Sequence, residues 1–547
     1  MDSFIQFNIA PCGGRFQYNT PMRFALLHGL LLACLPLAAQ ERPFDIVIAG
    51  AHIVDGSGAP WFAGDIGIHG DTIAAIGLLG DAPAAVRVDA RGLVVAPGFI
   101  DIHSHGRRGI FAVPTAENYL REGVTTIVEG PDGSSPLPLA PYLDRVAHTP
   151  ISINFSTMVG QGSIREQVMG LVNRKATPEE IEKMKALAAQ GMRDGAFGLS
   201  TGLYYVPGNF SSTEEVIELA KVVGAMGGIH ISHIREEAGH VIESVKETIR
   251  IGEEGHLPTQ ITHHKIIGRA NWGESVETLR LVEEARRRGV DVTIDQYPYT
   301  ASSTGVAALF PQWSLEGGRQ AMVERLAAPD ERARIKATIV ENIQFDRGGG
   351  DPKNVVIANC PFDASLAGKN LAELTRARGV EPTFENAAET AIALETKGAC
   401  SAVYHAIGED DVVRILRSPL TMIASDGEIP VFGRAAPHPR SYGTFARVLG
   451  VYVRERHVLT LEEAVRRMSG YPAQRLKIWD RGLLRPGMKA DLVVFDPALI
   501  ADRATFDQPH QYSVGVRDVM VNGRFVLQAE KVTAERPGMV LYGPGRR

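Results

Sequence analysis

Two rhythms of apolar and polar positions divide the chain. Residues 43–95 alternate in short runs, Asp45-Ile46-Val47-Ile48-Ala49-Gly50, Ala51-His52-Ile53-Val54-Asp55-Gly56, Asp65-Ile66-Gly67-Ile68 and Thr72-Ile73-Ala74-Ala75-Ile76, with turn residues between them. Period-two alternation predicts a small antiparallel sheet. The same style returns at Ala490-Asp491-Leu492-Val493-Val494-Phe495 and from Val516 to Leu527, where Asn522-Gly523 predicts a hairpin turn. Strands at both ends of the chain predict one small β-sandwich, built from residues 43–97 and 481–547.

Residues 98–480 have another rhythm. Apolar strand candidates lie near 99–103, 124–129, 151–158, 196–200, 228–232, 259–263, 290–294 and 420–424. Amphipathic segments separate several of them. Thr177-Pro178-Glu179-Glu180 is a capping box with Pro at the first helical position, and Ile181, Met184, Leu187 and Ala188 then share one face. Ser212-Thr213-Glu214-Glu215 predicts a second box. Eight strands with helical crossovers predict an α/β fold, a (β/α)8 TIM-like barrel. The stretch from about 305 to 415 carries helices of its own and predicts an inserted lid, with Arg347-Gly348-Gly349-Gly350-Asp351 as its most flexible part.

Composition narrows the class. The chain has 547 residues, 44% hydrophobic and 22% charged, with a net charge of −6 and no basic block, which argues against nucleic acid as a partner. No apolar stretch in the body is long enough to span a bilayer. The N-terminus differs: Met22-Arg23 precedes an Ala- and Leu-rich run from Phe24 to Leu37, then Ala38-Ala39-Gln40. A charged start, an apolar run and a small-residue cleavage site predict a secretory signal peptide, with translation starting at Met22 and residues 1–21 an upstream extension. Lipoprotein processing at Cys34 is the alternative. Either way the protein is expected to be periplasmic or secreted. Cleavage near Ala39 leaves Cys360 and Cys400, which either pair or stay as separate buried thiols.

The candidate chemistry starts at Ala96-Pro97-Gly98-Phe99-Ile100-Asp101-Ile102-His103-Ser104-His105. Residues i and i+2 of an extended chain project to one side, so His103 and His105 read as part of a metal site. Zinc-type ions take three or four protein ligands. Barrel enzymes place their chemistry at the C-terminal ends of the strands, and there the sequence supplies more donors. Strand five ends at His233, strand six at His263-His264-Lys265, strand eight at Ser425-Asp426, and strand two runs into Glu129-Gly130-Pro131-Asp132. His103, His105, His233, His263 and Asp426, with Asp132 or Glu129, are enough for one or two divalent ions. His230 and His405 read as hydrogen-bonded structural residues.

The run from Pro97 to His105 resembles the signature of the amidohydrolase superfamily. Gly198-Leu199-Ser200-Thr201-Gly202-Leu203, His233-Ile234-Arg235-Glu236-Glu237, His263-His264-Lys265, Tyr297-Pro298-Tyr299-Thr300-Ala301-Ser302-Ser303, Ser425-Asp426-Gly427 and His438-Pro439-Arg440 are similar to the N-acyl-D-amino-acid deacylase (D-aminoacylase) branch, from about residue 43 to the end. The resemblance implies metal-dependent cleavage of the amide bond of a small N-acyl-D-amino acid. His103, His105, His233 and His263 would be ligands of zinc or another divalent metal, and Asp426 a ligand and the catalytic acid/base. Lys265, Tyr297, Ser302, Arg440 and Tyr205 would hold the substrate. The chain departs from the branch at strand two, where the usual cysteine ligand is replaced by Asp132, a harder donor. Strand four carries no lysine that could be carboxylated to bridge two ions. Hydrolysis of a cyclic amide or an isoaspartyl dipeptide, or an inactive barrel used for binding, are the competing readings.

Overall fold

The structure is a computed structural model that describes residues 44–546. The signal segment with Met22 and Cys34 lies outside the described residues.

The eight expected barrel strands are all present, several shorter than their apolar runs. They are Phe99–Asp101, Val124–Glu129, Asn154–Thr157, Gly198–Gly202, Ile229–His233, Thr259–Ile261, Val292–Gln296 and Thr421–Ile423. Each pairs in parallel with its neighbour, with Val159–Gly160 carrying the third strand onto the fourth. Closure comes from strands one and eight: Ser104 bridges Gly427 in parallel, Asp426 N donates to His103 O at 2.9 Å, and His105 N donates to Gly427 O at 2.7 Å. Parallel strands buried on both faces read as apolar runs. That is why the pattern revealed their positions better than their ends.

The crossover helices follow their capping signals. Pro178–Asp194 has the full box, Thr177 Oγ1 accepting from Glu180 N at 3.3 Å and Glu180 Oε2 accepting from Thr177 N at 2.8 Å. Thr213–Ala225 has half of the second one. Ser212 accepts from Glu215 N, but the Glu215 carboxylate turns to Arg165 Nε at 3.1 Å. A buried guanidinium outcompetes a backbone amide for that carboxylate.

Strands from the two chain ends form one continuous nine-stranded sheet, in which Val94–Pro97 pairs with Leu492–Phe495. Its apolar core holds Ile48, Ile53, Ile66, Ile68, Val95, Leu492, Val494 and Met520. The Asn522-Gly523 turn joins Val516–Val521 to Arg524–Gln528, with φ of 48° and 75° at its two residues, the left-handed pair that such a hairpin needs.

The insertion is a separate layer. Ser302–Gly305, Val355–Asn359 and Ser401–Tyr404 form a three-stranded antiparallel sheet, with Pro329–Phe345 and Phe384–Lys397 among its helices. A core of its own includes Ile335, Ile339, Ile343, Ala387, Ala391 and Tyr404. It ends earlier than the sequence suggests, because Glu409–Arg417 is already the helix that leads into barrel strand eight. Cys360 and Cys400 are joined in a disulfide at its inner edge. The glycine-rich turn expected to be flexible is instead packed: Arg347, Gly348 and Gly349 are buried.

Candidate active site

The strand ends open onto one cleft of about 780 Å³, walled on one side by the edge of the insertion at Ser302–Gly305, Ala358, Asn359, Cys400 and Ser401. Five of the expected donors line it, with His103 buried behind them, and the six form two overlapping groups. His103, His105, Asp132 and Asp426 form one, and Asp132, His233 and His263 the other, with the donor atoms of each group within 4.8 Å of one another.

Asp132 belongs to both. Its Oδ1 stands 3.6 Å from His103 Nε2, 3.7 Å from His233 Nδ1 and 3.4 Å from His263 Nε2, and its Oδ2 is 3.4 Å from His105 Nε2. Asp426 Oδ1 lies 3.0 Å from His105 Nε2 and 3.4 Å from His103 Nε2. Both ring nitrogens of His103 and of His233, and Oδ1 of Asp132, are buried with no hydrogen-bond partner among the described residues. Buried polar atoms without partners are costly. Donors spaced this way fit a cation at bonds of about 2.0–2.2 Å, and four imidazoles with two carboxylates suit zinc and its divalent neighbours.

The local backbone is bent to bring these groups in. Asp132, His263 and Asp426 have φ of 55°, 35° and 50°, in the left-handed region that non-glycine residues rarely enter. Each such residue costs about 1–3 kcal/mol and persists only when its surroundings fix it. Asp132 is held by its turn, where Ser200 Oγ donates to Gly130 O at 2.5 Å and Gly133 N donates to Ser200 Oγ at 3.2 Å. His263 N donates to buried Asp295 at 2.7 Å. Asp426 is held by its bond to the His103 carbonyl and, one residue earlier, by Ser425 N donating to Asp101 at 2.9 Å. Burial lifts the Asp101 carboxyl to about 6 despite those bonds.

The electrostatics favour positive charge at the centre. Burial pushes Asp426 up, but the Arg440 guanidinium and the His103 and His105 rings outweigh it and hold its carboxyl well below the usual range. Asp132 behaves likewise, burial being overcome by the surrounding histidines. Burial alone would lower His105, yet Asp132 and Asp426 raise it to about 9.

The residues expected to hold substrate line the same cleft, namely Tyr205, Lys265, Tyr297, Ser302 and Arg440. Two of them already face protein carboxylates. Arg440 Nη1 is 2.7 Å from Asp426 Oδ2, and Lys265 Nζ donates to Glu237 and to the His263 carbonyl, the latter at 2.8 Å. Tyr297 OH and Ser302 Oγ are buried and lack any partner among the described residues. The Tyr205 ring lies 4.6 Å from that of His233.

Glu129, the alternative donor of strand two, lies outside both groups and accepts from Arg107 N at 2.9 Å. His230 is structural, held between Thr201 Oγ1 at 2.9 Å and Thr259 Oγ1 at 2.8 Å. His405 packs on Phe506 outside the cluster. Glu237 and Arg347 also line the cleft, outside the set of expected site residues. Glu237 stands four residues after His233 in a motif already noted, which was the available signal. Arg347 Nη2 bonds Glu237 at 3.1 Å and its guanidinium lies 4.2 Å from the Tyr204 ring. Nothing in the local sequence distinguishes it from a loop arginine.

The chain is similar to several known proteins. The profile described as "Amidohydrolase family" matches residues 156–527. A D-aminoacylase of Alcaligenes xylosoxydans xylosoxydans is 39% identical over 92% of this chain and 98% of its own. The crystal structure of an N-acyl-D-glutamate deacylase from Bordetella bronchiseptica, complexed with zinc and a phosphonate inhibitor that mimics the tetrahedral intermediate, superposes with a TM-score of 0.78 at 34% identity, covering 92% of this chain and all of that one (100%). A D-aminoacylase structure concerned with its binuclear metal centre gives a TM-score of 0.78 at 35% identity, over 91% and 100% of the two chains.

Proposed function

The chain belongs to the amidohydrolase family, and from that premise we propose that it hydrolyses the amide bond of N-acyl-D-amino acids, releasing a carboxylate and a free D-amino acid. The observation that carries this reading is the pair of donor groups sharing Asp132, with Asp426 set between His105 and Arg440. Its similarity to zinc-dependent and binuclear deacylases supports one or two divalent ions, zinc first, held by His103, His105, Asp132, His233, His263 and Asp426. Bound there, such an ion would supply polarisation of the amide carbonyl and a lowered pKa for water.

The chain's own groups do the rest. Asp426, ionised across the neutral range, accepts a proton from the attacking water and passes it to the leaving amine nitrogen, the transfer that makes the amine expellable. Arg440 on its far oxygen keeps the carboxylate oriented. Tyr297 OH and Ser302 Oγ, with Arg440 beside the Tyr297 ring at 4.8 Å, form a polar wall suited to the substrate's free carboxylate.

The decisive experiment is a panel of N-acyl-D- and N-acyl-L-amino acids, cyclic ureides and isoaspartyl dipeptides, with metal content measured on the same preparation. Turnover confined to the ureides or dipeptides overturns the assignment. We further propose export through a signal peptide starting at Met22. The Cys360–Cys400 disulfide supports it, since such bonds persist in oxidising compartments. Cell fractionation with mass determination of the mature N-terminus tests it, and an uncleaved cytosolic chain refutes it.

A further inference from the structure

We propose that Arg347 is a specificity-determining residue that binds a second carboxylate of the substrate. The preferred N-acyl-D-amino acids are then dianions, acidic either in the amino-acid side chain or at the far end of the acyl group. The inference rests on the deacylase reading and adds the substrate class to it. Arg347 lines the cleft and is only 2% exposed. A guanidinium has five N–H groups. Among the described residues one of them is used, Nη2 donating to Glu237 Oε2 at 3.1 Å, and Nε has no partner. The hydroxyls around it are turned elsewhere. Tyr204, whose ring the guanidinium faces at 4.2 Å, donates its OH to Ala308 O at 2.6 Å, and Tyr205 OH bonds Thr304 Oγ1 at 3.2 Å. A buried guanidinium with most of its donors unspent is costly unless a ligand in the cleft supplies the acceptors.

Charge points the same way. Glu237 answers two cations at once, Arg347 and Lys265. The neighbouring carboxyl, Asp346, is lifted by burial to about 7, so at neutral pH it carries only part of a charge. The corner is short of negative charge, and a planar guanidinium fork meets a carboxylate in matched geometry. The substrate's α-carboxylate is already placed on the wall of Tyr297, Ser302 and Arg440, which leaves a second acid for Arg347. The position suits it. The Glu237 oxygen that Arg347 holds is 3.7 Å from His233 Nε2, so the guanidinium stands one carboxylate away from the cluster of donors. It arrives there from the insertion, on a turn fixed by Gly348 N donating to Asn342 O at 3.0 Å and Gly349 N to Asp346 O at 2.9 Å. The insertion therefore sets what the barrel cleaves without altering the donors themselves.

The test measures kcat/KM of the zinc-loaded full chain as wild type, Arg347→Met and Arg347→Lys, with an unfolding midpoint for each. The substrates are N-acetyl-D-glutamate, N-acetyl-D-aspartate, N-acetyl-D-glutamine, N-acetyl-D-leucine and N-succinyl-D-leucine. The glutamate and glutamine substrates share the α-carboxylate, so their ratio isolates the second acid. N-succinyl- against N-acetyl-D-leucine does the same for the acyl end. Wild type is expected to favour the dianion of one pair by about 10- to 100-fold, the usual worth of a hydrogen bond to a charged group. The pair that shows it identifies which end carries the acid. Arg347→Met should bring that ratio close to one, and Glu237 keeps Lys265 in this variant, which favours folding. Arg347→Lys, with the charge but not the fork, should keep only part of the preference; it carries the test if the Met variant does not fold, and full retention there overturns the inference. Wild-type ratios near one in both pairs also overturn it, as does a preference that survives Arg347→Met. Turnover of none of these substrates sinks the deacylase reading instead.

Discussion

Replacing Asp426 by Asn separates chemistry from stability in a way the structure makes quantitative. The substitution keeps the shape and one oxygen donor but removes the proton acceptor, and positioned acid/base groups contribute about 10²–10⁴-fold in rate. At about 1.4 kcal/mol per factor of ten, that is roughly 3–5 kcal/mol of barrier. The same change strands Arg440, whose Nη1 stands 2.7 Å from the carboxylate with both side chains about 7% exposed. Removing one partner of a buried pair costs about 3–5 kcal/mol of stability. The double variant Asp426→Asn/Arg440→Met should therefore regain much of the stability and none of the turnover. Steady-state kcat on an N-acyl-D-amino acid, urea unfolding midpoints and zinc content on each preparation check the three parts. A kcat for Asp426→Asn within a few-fold of wild type, with zinc retained, refutes the catalytic assignment. Equal stability of the single and double variants refutes the ion-pair argument.

Three other outcomes follow from buried groups. Burial pushes His230 down to about 3, so the unfolded chain binds a proton near pH 6.5 that the folded one refuses. His230→Gln should therefore gain stability relative to wild type by about 1 kcal/mol per pH unit as pH falls from 6 to 4; parallel pH–stability curves would contradict this. Opening the Cys360–Cys400 link, which spans a sequence separation of 40, should destabilise the insertion by about 4 kcal/mol on the loop-entropy model, seen as faster hydrogen exchange in Val355–Asn359 and Ser401–Tyr404 under reductant while the barrel strands stay protected. Gly349 has φ of 58°, and a Cβ there would lie 2.5 Å from the His405 carbonyl oxygen. Gly349→Ala should cost at least about 1–2 kcal/mol for the left-handed backbone and loosen Arg347 from Glu237, measurable by unfolding and by a changed KM.

The sequence by itself determined the frame and most of the chemistry. Apolar runs of fixed length, the Thr177 box and the Asn522-Gly523 turn act over a few residues, so their outcome can be read locally. The histidines and Asp426 were legible because a barrel brings strand ends together whatever lies between them. Tertiary structure decided the rest, because it depends on partners distant along the chain. Asp132 was chosen over Glu129 by a turn pinned by Ser200 from strand four, while Arg107 occupies Glu129. Lys265 and Arg440 became partners of Glu237 and Asp426 because burying a charge without a counter-charge is too costly. Arg347, in a glycine-rich run that looks like flexible linker, was fixed by the same rule: a guanidinium carried into a dry interior stays only where a carboxylate and an aromatic face meet it, and those come from Glu237 and Tyr204 more than a hundred residues away.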